Sequence, residues 1–334
     1  MKTIIPLAGF GTRMRPHTWS RAKPLLNVAG NTIIGHLLDL MMEVLTDEVI
    51  FVVGYKGEEI EAWLRANYPQ LDMRFVVQEE ALGQAHALWL CRDYLDDGEV
   101  LIAFGDGIVE ADYSHIPEPG LDGVLLVQPM EDPRTFGVVV RNEAGLVVDF
   151  IEKPTGFEHR EVIAGIYWFS NGRFLANALH TVISEKRQSK GEYYLVDAYK
   201  VMLEQGAKIG AKPTRFWLDA GKPDFMLEAN ARLLGLGYGA TPDAIERSYT
   251  EDFTVIPPVF IDETAVVETA VVGPYASIHA GAVIKNAIVR RSIVDAGARV
   301  ENCLLDGSLV GERATITGKP MSLFVGDDSV METN

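Results

Sequence analysis

The chain has 334 residues, of which 48% are apolar and 23% charged, and its 30 Lys and Arg against 47 Asp and Glu leave a net charge of −17. That length implies two domains or one large domain with an appendage, and the apolar share excludes a disordered chain. So acidic a balance excludes a nucleic-acid-binding protein, whose electrostatic footprint is a broad basic surface.

The first 38 residues break the pattern. They contain no Asp or Glu, and they hold Lys2, Arg13, Arg15, Arg21 and Lys23. All 47 acidic residues lie in the other 296. A basic segment on a chain that otherwise repels anions predicts a local site for a small polyanion, with a nucleoside triphosphate the natural candidate.

In chain order, residues 2–8 (KTIIPLA) read as a buried strand feeding the loop Ala8-Gly9-Phe10-Gly11-Thr12-Arg13. The loop is neither a dinucleotide fingerprint, since Arg13 stands near the place of the third Gly, nor a P-loop, since no Gly-Lys-Ser/Thr follows. Its glycines allow backbone amides to approach phosphate, Arg13 offers a forked donor, and Lys23 adds a point charge. Ile33, Leu37, Leu40, Met41 and Val44 predict a helix over 32–45 with Asn31 as its N-cap. A strand at 48–53, a helix at 56–68, a strand at 73–77, a helix at 83–90 and a strand at 100–104 follow. This alternation predicts an α/β fold, a Rossmann-like, mostly parallel sheet with helices on both faces. In such sheets ligands bind beyond the carboxyl ends of strands, which is where Gly9, Gln78 and Asp106 fall.

From about 122 to 170 the chain is strand-rich, and helices return near 171–181, 195–205 and 223–235. A polar connection at 237–256 separates a catalytic domain, 1–236, from a tail, 257–334. In the tail Ile261, Val267, Val272, Ile278, Ile284, Val289, Val294, Val300, Leu305, Val310 and Ile316 recur in steps of five or six, with Ala265, Ala276, Ala282, Ala298 and Ala314 four residues after many of them. This period predicts a small left-handed parallel β-helix of three to four turns.

The motif AGFGTRMRP with AKPLLNVAG resembles the signature of the sugar-nucleotide pyrophosphorylases, closest to the glucose-1-phosphate thymidylyl- and uridylyltransferases. The loop has the A-G-x-G-T-R form of several uridylyl-type members, one residue shorter than the L-A-G-G-x-G-T-R of many thymidylyltransferases. The resemblance covers about residues 1–235, and hexapeptide tails are common in the family. It implies a nucleotidyltransferase that condenses an NTP, dTTP or UTP, with a sugar 1-phosphate, glucose 1-phosphate, to give NDP-sugar and pyrophosphate.

By that resemblance Leu7, Ala8, Gly9, Gly11, Thr12 and Arg13 hold the triphosphate, and Gln78 with Gly83 in QEEALGQA reads the base. Asp106 in FGD and Asp219 in WLDAG bind Mg²⁺, and Arg13, Lys23, Asp106 and Asp219 form the catalytic set. Gly137, Glu152, Lys153, Gly165 and Glu192 bind the sugar phosphate, with Lys153 on its phosphate and Glu152 on its hydroxyls. The rival readings are a mannose-1-phosphate guanylyltransferase, a catalytically silent regulatory subunit, and a bifunctional uridylyl/acyltransferase whose acyl base would be His279, otherwise a solvated solenoid residue. The implied partners are the two substrates and a possible homo-oligomer, with no nucleic acid or membrane. Cys91 and Cys303, widely spaced, read as buried thiols in a reducing compartment. No apolar run approaches the ~18 residues of a membrane span and none reads as a signal peptide, so a soluble cytoplasmic protein is expected.

Overall fold

The structure is a computed structural model that describes residues 1–188, 191–239, 241, 246 and 252–319. The chain divides into two compact units, one of residues 1–26 and 31–229, the other of 27–30 and 230 onward. The division falls inside the helix Pro223–Gly235 rather than after it.

The first unit is built on β1 (Lys2–Pro6), β2 (Val49–Val53), β3 (Met73–Val77) and β4 (Val100–Ala103), all parallel in the order β4-β1-β2-β3. The connections are α1 (Ile33–Met41), α2 (Gly57–Asn67) and α3 (Gln84–Leu90). Alternate side chains of the strands serve opposite faces. Ile4, Ile50, Val52 and Ile102 pack with Ala85 and Leu88 of α3, whereas Ile5, Phe51 and Leu101 pack with Leu37, Leu38 and Met41 of α1 and Leu64 of α2. Burying each such aliphatic side chain stabilises the unit by about 1.5–3 kcal/mol before chain entropy is counted. The cap of α1 differs from expectation by one residue. Thr32 accepts the amide of Gly35, while the Asn31 side chain accepts the amide of Thr32.

Beyond β5 (Gly107–Glu110) the chain forms β6 (Gly123–Pro129), β7 (Gly137–Arg141), β8 (Val147–Glu152) and β9 (Glu161–Phe169). β9 joins β4 and β6 antiparallel, and β7 and β8 form a hairpin, so this half of the nine-stranded sheet is largely antiparallel. The hairpin closes at Asn142–Gly145, where the Asn142 side chain accepts two amides. α4 (Gly172–Ser184) and α5 (Leu195–Glu204) cover the face shared with α3. β10 (Ile209–Pro213) runs parallel to β6, and β11 (Phe216–Asp219) pairs with β5 apart from the main sheet. The Cys91 thiol is buried among these elements, which pushes its pKa up to about 12.

The second unit contains three four-stranded parallel sheets that alternate along the chain, as in a left-handed parallel β-helix. Among the described residues the first strand of these sheets is Phe253–Val255, slightly ahead of the expected start at 257. Part of the expected linker, 240, 242–245 and 247–251, and the tail 320–334 lie outside the described residues. Successive coils are offset by 16 or 17 residues, as in Val267↔Ile284, Ile284↔Val300 and Val300↔Ile316. The predicted aliphatic column is the core, with Val272, Ile278, Ile284, Val289, Val294 and Val300 fully buried and Leu305 and Ile316 partly so. Cys303 is only half-buried. His279 departs from expectation too: it is 6% exposed, with its ring 5.1 Å from that of Phe260.

Residues Asn27–Gly30 belong to this second unit. Asn230, fully buried, accepts the amide of Ala29 at 2.9 Å and the hydroxyl of Ser277, and donates to the carbonyl of Tyr275. Gly30 lies against the Phe260 ring so closely that a Cβ would meet it at 2.8 Å.

Candidate active site

At the carboxyl ends of β1, β3 and β4 lies a cleft of about 450 Å³. Its floor is the loop after β1. Gly11 is left-handed (φ +61°), and a Cβ there would strike Lys23 at 2.9 Å and Thr18 at 3.0 Å, so only Gly closes this turn. The Thr18 hydroxyl donates to the Gly11 carbonyl at 2.8 Å and locks it. Gly9, by contrast, would carry a Cβ into open space, which leaves the loop room for a bulky anion. The Arg13 side chain leaves this loop beside Gly221, which follows β11.

Lys23 is 8% exposed, held in a short helical turn over Lys23–Leu25, and its ammonium donates to Asp106 Oδ2 at 3.1 Å. Asp106 follows β4, and 58% of its side chain stays open. The adjacent Gly105 packs so tightly on Leu7 that a Cβ would come within 2.1 Å. The charge of Lys23, with a smaller contribution from Arg13, holds the Asp106 carboxyl below the usual carboxylate range. Asp219 arrives by a different route: in the β5–β11 pair it stands opposite Gly107, the residue after Asp106. Burial, reinforced by the charge of Asp106 against the opposing pull of Lys23 and Arg13, raises its pKa. Asp219 thus sits in the field of Asp106, and the pair offers hard oxygen donors of the kind a divalent cation takes in ones and twos alongside phosphate.

Gln78 and Gly83 line the same cleft. Gly83 has φ +102°, and its Cα faces the Tyr193 backbone, where a Cβ would sit 2.6 Å from the carbonyl oxygen. Two backbone bonds, Tyr193 N–H to Leu82 and Ala85 N–H to Tyr193, tie the segment carrying Glu192 to this side, and Glu192 lines the cleft there.

The remaining expected residues form a second group. Glu152 and Gly137 are opposite each other in the β7–β8 hairpin, and Lys153 Nζ lies 3.2 Å from Glu152 Oε1. Lys153 is itself left-handed (φ +51°), a conformation held by its amide bonding to the Phe136 carbonyl. Gly165 accepts the Phe104 amide, and Phe104 lines the cleft. Burial and then the charges of Glu152 and Asp106 raise the Tyr167 pKa. Gly137, Glu152, Lys153, Gly165 and Asp219 are not among the residues that line the cleft, whereas Leu7, Ala8, Gly9, Gly11, Thr12, Arg13, Lys23, Gln78, Gly83, Asp106 and Glu192 line it directly.

Residues 2–235 match the family model described as Nucleotidyl transferase. The chain belongs to that family. Among similar proteins, the bifunctional protein GlmU of Methanocaldococcus jannaschii is 33% identical over 234 residues, 70% of this chain and 54% of that one. The chain thus spans about half the length of that relative. A glucose-1-phosphate thymidylyltransferase of Streptomyces griseus is 28% identical across 98% of both chains. The UTP–glucose-1-phosphate uridylyltransferase AglF of Haloferax volcanii is 30% identical over 70% of this chain and 96% of its own. A Bacillus anthracis protein described as a glucose-1-phosphate thymidylyltransferase, solved with a sucrose, superposes with a TM-score of 0.61 at 25% identity, over 70% of this chain and 94% of that one.

Sequence reasoning missed the aromatic rim and one half-buried histidine, His86. Phe10, 46% exposed, lies 5.5 Å from the Tyr55 ring, and Tyr55 donates to the carbonyls of Thr18 and Trp19. An exposed Phe within a glycine loop was the available signal. His86 has only its position three residues after Gly83 to mark it. Among the described residues no helix is long and apolar enough to cross a membrane.

Proposed function

We propose that the protein is a sugar-1-phosphate nucleotidyltransferase acting on glucose 1-phosphate with dTTP or UTP. The observation that carries this reading is the convergence of Arg13, Lys23, Asp106 and Asp219 at an open glycine loop. The match to a thymidylyltransferase over nearly all of both chains supports the sugar and base.

A sugar-phosphate oxygen attacks the α-phosphorus in line, a P–O bond forms, the bond to the bridging β-phosphate oxygen breaks, and pyrophosphate leaves. The attacking phosphate is already ionised, so no general base is required. Catalysis is then positioning and charge neutralisation. Arg13 and the loop amides hold the triphosphate and stabilise leaving pyrophosphate, while Lys23 neutralises charge near the α-phosphate. Lys153 aligns the attacking phosphate, and Glu152 accepts hydrogen bonds from the sugar hydroxyls. Asp106 and Asp219 would hold Mg²⁺, which supplies further neutralisation of phosphate charge. The second unit acts in structure or assembly. His279, buried with its ring tilted against that of Phe260, lends no support to an acyl-transfer role for it.

The deciding experiment is a matrix of nucleoside triphosphates against sugar 1-phosphates with pyrophosphate release as readout. The expected maximum is glucose 1-phosphate with dTTP or UTP, and no release from any pair would reject the reading.

A further inference from the structure

Gln78 follows β3, is 7% exposed, and has its backbone fixed by a 2.8 Å bond to the Val53 carbonyl. Its amide nitrogen lies 3.1 Å from the Gly83 carbonyl oxygen and 3.0 Å from His86 Nδ1. A carbonyl oxygen only accepts, so the amide atom against Gly83 must be the NH₂ group. That group has two protons. Gly83 takes one, and the other points at Nδ1, which must therefore be bare, with the ring proton on Nε2. Burial lowers the His86 pKa against the smaller opposing effect of Glu80, which favours the neutral ring. Both donor positions of the amide are thus spent inside the protein. Its Oε1 accepts no hydrogen bond among the described residues and remains the group the amide offers to the cleft.

We propose that His86 is a positioning residue that pins the Gln78 amide as an acceptor, so that the site selects nucleobases with a ring N–H on their pairing edge. Uracil, thymine and guanine carry that N–H; cytosine and adenine present a bare ring nitrogen, which would face Oε1 lone pair to lone pair. The inference rests on the cleft being a nucleoside triphosphate site. His86 does not touch the base in this scheme; it denies the amide the freedom to turn a proton outward. A site with a fixed polar group discriminates strongly because the wrong ligand leaves that group unpaired.

The test is a pair of variants of the full chain. In His86→Asn, Oδ1 takes the place of Nδ1 and still accepts, whereas His86→Leu has the same branched shape and no acceptor. For each, kcat/KM is measured for UTP, dTTP, GTP, CTP and ATP with the sugar phosphate that wild type uses best. The Leu variant is expected to lose about tenfold or more in the ratio of the best ring-N–H nucleotide to CTP, the size of one buried bond left unmade. The Asn variant should keep the wild-type ratio within about threefold, well inside that difference. Should the Leu variant not fold, His86→Phe lacks the acceptor equally. Equal ratios in the Asn and acceptor-less variants, or a wild type that prefers CTP or ATP, would overturn the proposal. A wild type that turns over no nucleotide would instead refute the functional reading beneath it.

Discussion

Asp106 and Asp219 are displaced in opposite directions, and the consequences of acid differ accordingly. Asp106 lies below its unfolded value, so its favourable interaction with Lys23 is present above the unfolded pKa and is lost as pH falls through the folded one. Asp219 is raised, so its contribution favours folding at low pH and is lost as pH rises through its folded pKa, leaving a buried charge at neutral pH. A divalent cation would relieve that charge and compete with the proton. Raising Mg²⁺ should therefore move the acid limb of the activity profile to lower pH and raise the unfolding midpoint at neutral pH, and EDTA should abolish turnover. Asp219→Asn is expected to fold at least as stably as wild type while losing at least about a hundredfold in kcat, or ~2.7 kcal/mol of barrier. Asp106→Asn should lose activity on the same scale. Full turnover in both variants would end the metal assignment. Among the cations, Arg13→Ala and Lys23→Ala should lower kcat more than they weaken NTP binding, whereas Lys153→Ala should chiefly raise KM for the sugar phosphate. An effect of Lys153→Ala confined to NTP parameters would displace it from the sugar side.

At the scale of elements, two glycines of the cleft separate a fold requirement from a ligand requirement. Gly83 combines φ +102° with a Tyr193 backbone contact that no Cβ tolerates. Gly83→Ala should lower stability by about 2–4 kcal/mol, from left-handed strain plus displacement of the 191–194 segment, as read by denaturant unfolding. Gly9 has neither constraint, so Gly9→Ala should leave stability within about 0.5 kcal/mol and raise KM for NTP, because the methyl enters space reserved for phosphate. A stable Gly83→Ala variant, or an unfolded Gly9→Ala one, would contradict this division. The parallel strands and their helices were legible in the sequence because each shows its own apolar period over five or more residues. The antiparallel joining of β6 to β9 was not, since strand runs alone do not reveal which neighbour each one takes. The cap of α1 shifted by one residue because Asn31 and Thr32 both have capping side chains, and only the bonds made to Thr32 N and Gly35 N distinguish them.

Across the whole molecule, the division of the chain does not follow its order. Asn27–Gly30 come only a few residues after Lys23, yet they belong to the unit that holds the β-helix. Asn230 fastens them there through bonds to Ala29, Ser277 and Tyr275. Asn230→Ala would leave two donors and a carbonyl without a partner in a dry setting, and the expected cost is about 2–4 kcal/mol by thermal or denaturant unfolding. An unchanged midpoint would show that this network is dispensable. What the sequence alone determined was whatever repeats or clusters locally: the strand–helix alternation, the six-residue period of the β-helix and the acid-free basic segment with its glycine loop. The residues proposed for the site stood out as motifs, because the phosphate chemistry proposed for them calls for recognisable types at short spacing. Tertiary structure decided the rest. It brought Asp219 to Asp106 through pairing of β5 with β11, turned the Gln78 amide by setting it between Gly83 and His86, buried His279 on Phe260, and assigned Asn27–Gly30 to the second unit. Each of these is a register or a hydrogen bond set by packing, often between residues far apart in the chain, and local periodicity carries no record of it.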